Sequence, residues 1–122
     1  ARAGPAGVLN RAHFLALAAR AMRQLMLNHA RDRIAEKRGG GAAHSDLAGH
    51  ADALVDEARG LIELDSALQR LELEDPRWAR VVECRVFAGL SEQESADAME
   101  LPLRSAQRLW SDARQRLGEL LD

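Results

Sequence analysis

Cysteine occurs once in the 122 residues, at Cys84, and tyrosine is absent. A lone thiol excludes an internal disulfide and leaves no thiolate cluster for zinc or an iron–sulfur centre, a usage that fits a reducing cytoplasm. Within the run VVECRVF it reads as a small buried hydrophobe, because no Cys/His arrangement surrounds it in sequence. His13, His29, His44 and His50 have no zincin-like spacing, and no Cys or carboxylate completes a set, so no metal is expected. The triplet Gly39-Gly40-Gly41 lacks both the Lys-Ser/Thr that follows a phosphate-cradling loop and the strand that precedes one. The acids of residues 52–75 fall on helix faces without a partnering catalytic pattern. These absences predict a protein with no cofactor that is not an enzyme. No apolar run approaches the roughly 20 residues that span a bilayer, and the start has no signal-peptide core, so no membrane partner is expected. The chain opens on Ala1 rather than Met, as a fragment does.

Strand formers are scarce, and Ala and Leu supply much of the 47% apolar content, so the expected fold class is all-α. The length allows one compact domain or two small helical ones. Charge is unevenly spread. Residues 1–38 hold eight Lys/Arg against Asp32 and Glu36. Residues 46–100 carry only five arginines among a large excess of Asp and Glu, and from Arg104 to Arg116 four arginines face Asp112 alone. Two basic stretches flanking an acidic one suit a chain that meets a polyanion at two places, although two solvated helix faces would give the same pattern.

Residues 1–9, with Gly4, Pro5 and Gly7, read as a loose lead-in. Asn10 is an expected N-cap for one long helix from Arg11 to about Arg38, which contains neither Pro nor Gly. Its apolar residues recur as one row through Phe14, Leu17 or Ala18, Ala21 or Met22 and Leu25, and an adjoining row through Leu15, Ala19, Met22 and Met26. The stretch 39–51, rich in Gly and Ala, reads as a flexible linker between a first module, 1–38, and a second, 52–122. Helical spacing resumes from Asp52 to Leu73, with Gly60 as a place where it could break. Asp75 then caps a helix with Pro76 at its first position, running through Trp78, Val81, Val82 and Val86 to Phe87.

After Gly89-Leu90, Ser91 followed by Glu94 is a capping box that opens a short helix to Met99. A turn at Glu100-Leu101-Pro102 leads into a last helix from about Leu103 to Leu121. Two helices so joined, the second opening on Arg and polar residues, predict a helix-turn-helix over 91–116 within a C-terminal bundle. Ala96 is small where the two axes must approach, Leu90, Met99 and Leu101 suit the wedge between them, and Ala106 and Trp110 turn inward. Arg104, Ser105, Gln107 and Arg108 then point outward at the end that enters a major groove, where Arg can fork onto guanine and Gln onto adenine. An ordinary helical hairpin with a solvated face is the competing reading of the same pattern.

Taken in order, NRAHFLALAARAMRQLMLNHARDRIAEKRGGG, LDSALQRLELEDPRWARVVECRVFAGLSEQESADAM and RSAQRLWSDARQRL resemble the extracytoplasmic-function (ECF) sigma factors of bacterial RNA polymerase. The resemblance spans about residues 10–120. It implies that 10–38 is the last helix of an incomplete promoter-melting domain, whose clamp-gripping helices are not in this chain, and that 60–121 reads the upstream promoter hexamer. It implies promoter DNA and core RNA polymerase as partners, and an inhibitory regulator that sequesters the same surfaces. On this reading Arg104, Ser105, Gln107 and Arg108 touch bases or phosphates, while Arg23, Arg31, Arg33, Lys37 and Arg38 hold the DNA backbone near the melted element. The sequence departs from the family pattern at Glu100, where Gly is usual, at Pro102, where a Ser cap is usual, at Ser95, where a larger apolar residue is usual, and at Asn28, where Asp is common. Two other readings stay open: a helical interaction or dimerisation module, and a dimeric helix-turn-helix regulator that works without polymerase.

Overall fold

A computed structural model describes residues 10–40 and 45–122, with 37–40 and 45–51 described as backbone only. The described residues form five α-helices and one π-helical segment, with no strand. Helix α1 spans Arg11–Gly40, and the Asn10 side chain caps it by accepting the His13 N–H at 2.8 Å. Helix α2 spans Ser45–Glu74 without a break at Gly60. A mid-helix glycine costs roughly 1 kcal/mol relative to alanine, and the buried Val55, Ala58, Ala67, Leu68 and Leu71 on either side outweigh it. The expected linker is correspondingly shorter. Helix α1 continues two residues past Arg38 and α2 begins at Ser45, so only 41–44, which lie outside the described residues, separate them.

Helix α3, Pro76–Val82, starts as its sequence predicts, with Asp75 accepting the Arg77 N–H and Pro76 in the first turn. It does not run on as an α-helix to Phe87. Residues Glu83–Phe87 widen into a π-helical turn, closed by Ala88 N–H donating to the Glu83 carbonyl at 3.1 Å and Leu90 N–H to the Cys84 carbonyl at 2.9 Å. Ala79, Val81, Val82, Glu83, Cys84 and Phe87 are buried along this stretch, whereas Val86, one of the apolar residues through which the sequence runs the helix, is exposed.

Helix α4, Glu92–Met99, and helix α5, Leu103–Leu121, complete the chain. The larger core joins α2, α3 and α5 through Leu68, Leu71, Val81, Val82, Phe87, Leu109, Ala113 and Leu117. Each fully buried aliphatic side chain contributes roughly 1.5–3 kcal/mol. A second cluster sets Leu15 and Ala19 of α1 against Cys84 and Ala98, so the long helix shares a core with the C-terminal helices. Of the two apolar rows on α1, the one through Leu15 and Ala19 faces inward, with Leu27 and Ala30 continuing it. Phe14, Leu17, Met22 and Leu25 are exposed. Among the described residues no helix is long and apolar enough to cross a membrane.

Candidate nucleic-acid interface

The α4–α5 pair is built by local chemistry at each end of α4. Ser91 Oγ accepts the Glu94 N–H at 3.0 Å, and the Glu94 carboxylate accepts the Ser91 N–H at 2.8 Å, which completes the capping box. The bond from the Ser91 N–H holds the Glu94 carboxyl below the usual carboxylate range. At the other end Glu100 adopts φ 56° and ψ 46°, the left-handed conformation that glycine accepts without a Cβ clash. This reversal lets the Leu101 N–H reach the Ala96 carbonyl at 2.9 Å and closes the helix. Pro102 precedes α5 in the N-cap position rather than the first helical one and makes no side-chain cap.

Ala96 and Ala106 are buried where α4 and α5 approach, with Met99 and Leu101 packed beside them against the main core. The inner face of α5, Ala106, Leu109, Ala113 and Leu117, leaves Arg104, Ser105, Gln107 and Arg108 exposed on the other side. Of these four, Gln107 is engaged: its Nε2 donates to Glu92 Oε1 at 2.8 Å. The remaining arginines of α5 are occupied. Arg114 lies over the Trp110 ring at 5.4 Å, as does Arg85 from the π segment. Arg116 forks onto Glu74 with two bonds of 2.8 Å and reaches Glu119 at 2.9 Å, tying the end of α5 to the end of α2. The unengaged positive charge of α5 is therefore concentrated at its start.

The basic residues of α1 divide. Arg23, expected to hold DNA, is 14% exposed at its side chain and faces inward between two carboxylates that are themselves buried. Its Nε and Nη2 meet Asp65 Oδ1 at 2.7 and 2.6 Å, and its Nη1 meets Glu83 Oε2 at 3.0 Å. Gln69 adds a bond to the other Asp65 oxygen at 2.9 Å. Burial alone would lower the Arg23 pKa, and the bonds to Asp65 and Glu83 raise it instead. Arg23 is in this arrangement a tie between α1, α2 and the π segment. Arg31 is exposed and Arg33 half-buried on the same helix. The side chains of Lys37 and Arg38 lie outside the described residues.

Spacing on one helix could not reveal the Arg23 tie, since its partners lie 42 and 60 residues away. A signal was present all the same: Glu83 is a single acid inside the apolar run VVECRVF, and a carboxylate in such a row needs a buried cation. Cys84 beside it is buried, and that burial pushes its thiol up to about 11, so it remains protonated and inert at neutral pH.

Neither the curated proteins nor the solved structures compared with the chain include a match. The family model described as "ECF sigma factor" matches residues 6–122. With that match over nearly its whole length, the chain belongs to the ECF sigma factor family, transcription initiation factors that are not enzymes.

Proposed function

We propose that this chain recognises promoter DNA through the start of α5 while bound to core RNA polymerase in the cytoplasm. The observation that carries the reading is the placement of Arg104, Ser105 and Arg108. They are exposed, with no partner among the described residues, on a helix whose opposite face is locked into the bundle. A rigid helix start bearing two unengaged arginines one turn apart matches what a major groove accepts. Arg31, Arg33, Lys37 and Arg38 hold the DNA backbone by charge alone, and the acidic helices between meet polymerase. An inhibitory regulator acts by covering these surfaces.

The test is a binding series of the chain with core polymerase, in which Arg104→Ala and Arg108→Ala are compared on single-base variants of a selected promoter at fixed salt. A forked Arg–guanine contact carries about 1–3 kcal/mol of discrimination at one base pair. Loss of preference confined to one position for each variant is the expected result. Equal weakening on every sequence would reduce the role to phosphate docking, and no change in either variant would remove α5 from the interface.

A second reading, a helical interaction module without DNA binding, is favoured by the exposed row Phe14, Leu17, Met22 and Leu25. Capture of a protein partner with no salt-dependent DNA binding would select it.

A further inference from the structure

The pairing of Glu92 with Gln107 bridges the two helices of the proposed interface before any DNA is present. We infer that Glu92 is a positioning residue that fixes which way the Gln107 carboxamide faces, and so which base the start of α5 accepts. This rests on the DNA-reading role proposed for α5.

A carboxamide has a donating end and an accepting end, and an exposed glutamine can present either. An ionised carboxylate only accepts. With Nε2 donating to Glu92 Oε1 at 2.8 Å, turning the amide over would set two acceptors against each other. The pairing therefore commits one N–H to Glu92 and leaves the other N–H and the amide oxygen to a base edge. That donor–acceptor pair matches adenine, which offers N7 as acceptor and the N6 amino group as donor, and not guanine, which offers two acceptors. Glu92 is itself well placed to hold this geometry. It occupies the first position of α4, directly after the Ser91 cap that the reciprocal bonds to Glu94 fix in place.

The same carboxylate also repels a DNA backbone. Its two effects oppose each other: it sharpens base choice and weakens binding to every sequence. A residue that served only to join α4 to α5 would not separate affinity from preference in this way.

The full chain, in complex with core polymerase, is used to select a preferred promoter. Binding of the wild type, Glu92→Ala, Glu92→Gln, Gln107→Ala and the Glu92→Ala/Gln107→Ala double variant is then measured on all four base pairs at each recognised position. Glu92→Ala is expected to lower the preference at the Gln107 position by about 3- to 10-fold, the size of one lost hydrogen bond, while raising overall affinity. Glu92→Gln, which loses the charge and can donate as well as accept, no longer excludes the turned-over carboxamide, so it should also raise affinity and should relax the preference part of the way toward that of Glu92→Ala. In the Gln107→Ala background, Glu92→Ala should change no preference.

Wild-type preference in Glu92→Ala, or an equal relaxation with and without Gln107, overturns the inference. If Gln107→Ala changes no preference while the two arginine variants do, α5 still reads DNA and only the Glu92 assignment falls. If none of these variants changes any preference, the DNA-reading role falls with it.

Discussion

Two residues of the α4–α5 pair stand in places that physical chemistry would assign to others. Ser95 is 1% exposed, and its Oγ finds no hydrogen-bond partner among the described residues. A buried hydroxyl without a partner forfeits about 1–3 kcal/mol of hydration. Ser95→Ala is therefore expected to stabilise the protein by about 1 kcal/mol in urea denaturation, and a destabilised variant would show that the hydroxyl has a partner in solution. Glu100 holds a left-handed conformation that costs a non-glycine residue roughly 1–2 kcal/mol. Glycine removes that cost but returns part of the gain as freedom of the unfolded chain. The net expectation for Glu100→Gly is about 0.5–1 kcal/mol of stabilisation. A lower denaturation midpoint would mean that the Glu100 side chain contributes more than its backbone costs. Both positions were legible only as departures from the pattern of the family the sequence resembles; that Ser95 is buried and Glu100 left-handed is decided by the structure.

At the scale of single elements, the helix starts were the most legible feature, since Asn10, Asp75 and the Ser91/Glu94 box each act within three residues of chain. Their carboxylates also give the protein an acid dependence. Hydrogen bonds hold Glu94 below its ordinary range through Ser91, Asp75 through Arg77 and Glu74 through Arg116. A carboxyl with a depressed folded pKa binds its proton more weakly than it does in the unfolded chain. Its contribution is complete above the unfolded value of about 4 and is lost as pH falls through the folded value. Stability should thus decline on acidification below about pH 4, and Glu94→Gln should flatten that limb in a urea series across pH. An identical acid limb in the variant would exclude the capping box from the transition. The π turn at Glu83–Phe87 was not legible. Its residues carry no helix breaker, and the wider turn shows only in the backbone bonds that close it, from the Ala88 N–H to the Glu83 carbonyl and from the Leu90 N–H to the Cys84 carbonyl.

At the scale of the whole molecule, the Arg23 tie decides where the long helix lies. Removing one member of a buried ion pair strands the others and costs about 3–5 kcal/mol, whereas replacing the whole set with apolar residues is often neutral. Arg23→Met should accordingly destabilise by about 3–5 kcal/mol near neutral pH. Adding Asp65→Leu and Glu83→Leu should recover most of the loss. A thermal melt of Arg23→Met that matches the wild type would mean that α1 does not rest on these carboxylates in solution. The sequence by itself determined the all-α class, the starts of α1, α3 and α4, the inward face of α5 and the exposed Arg104, Ser105, Gln107 and Arg108, because periodicity and capping act over a few residues of chain, whereas α2 begins at Ser45, ahead of the expected Asp52. Only the tertiary structure decided which row of α1 is covered and that Arg23 is a structural tie rather than a free cation. It likewise decided that Glu92 meets Gln107. Each of these depends on groups 15 or more residues apart, brought together by packing that no local pattern encodes.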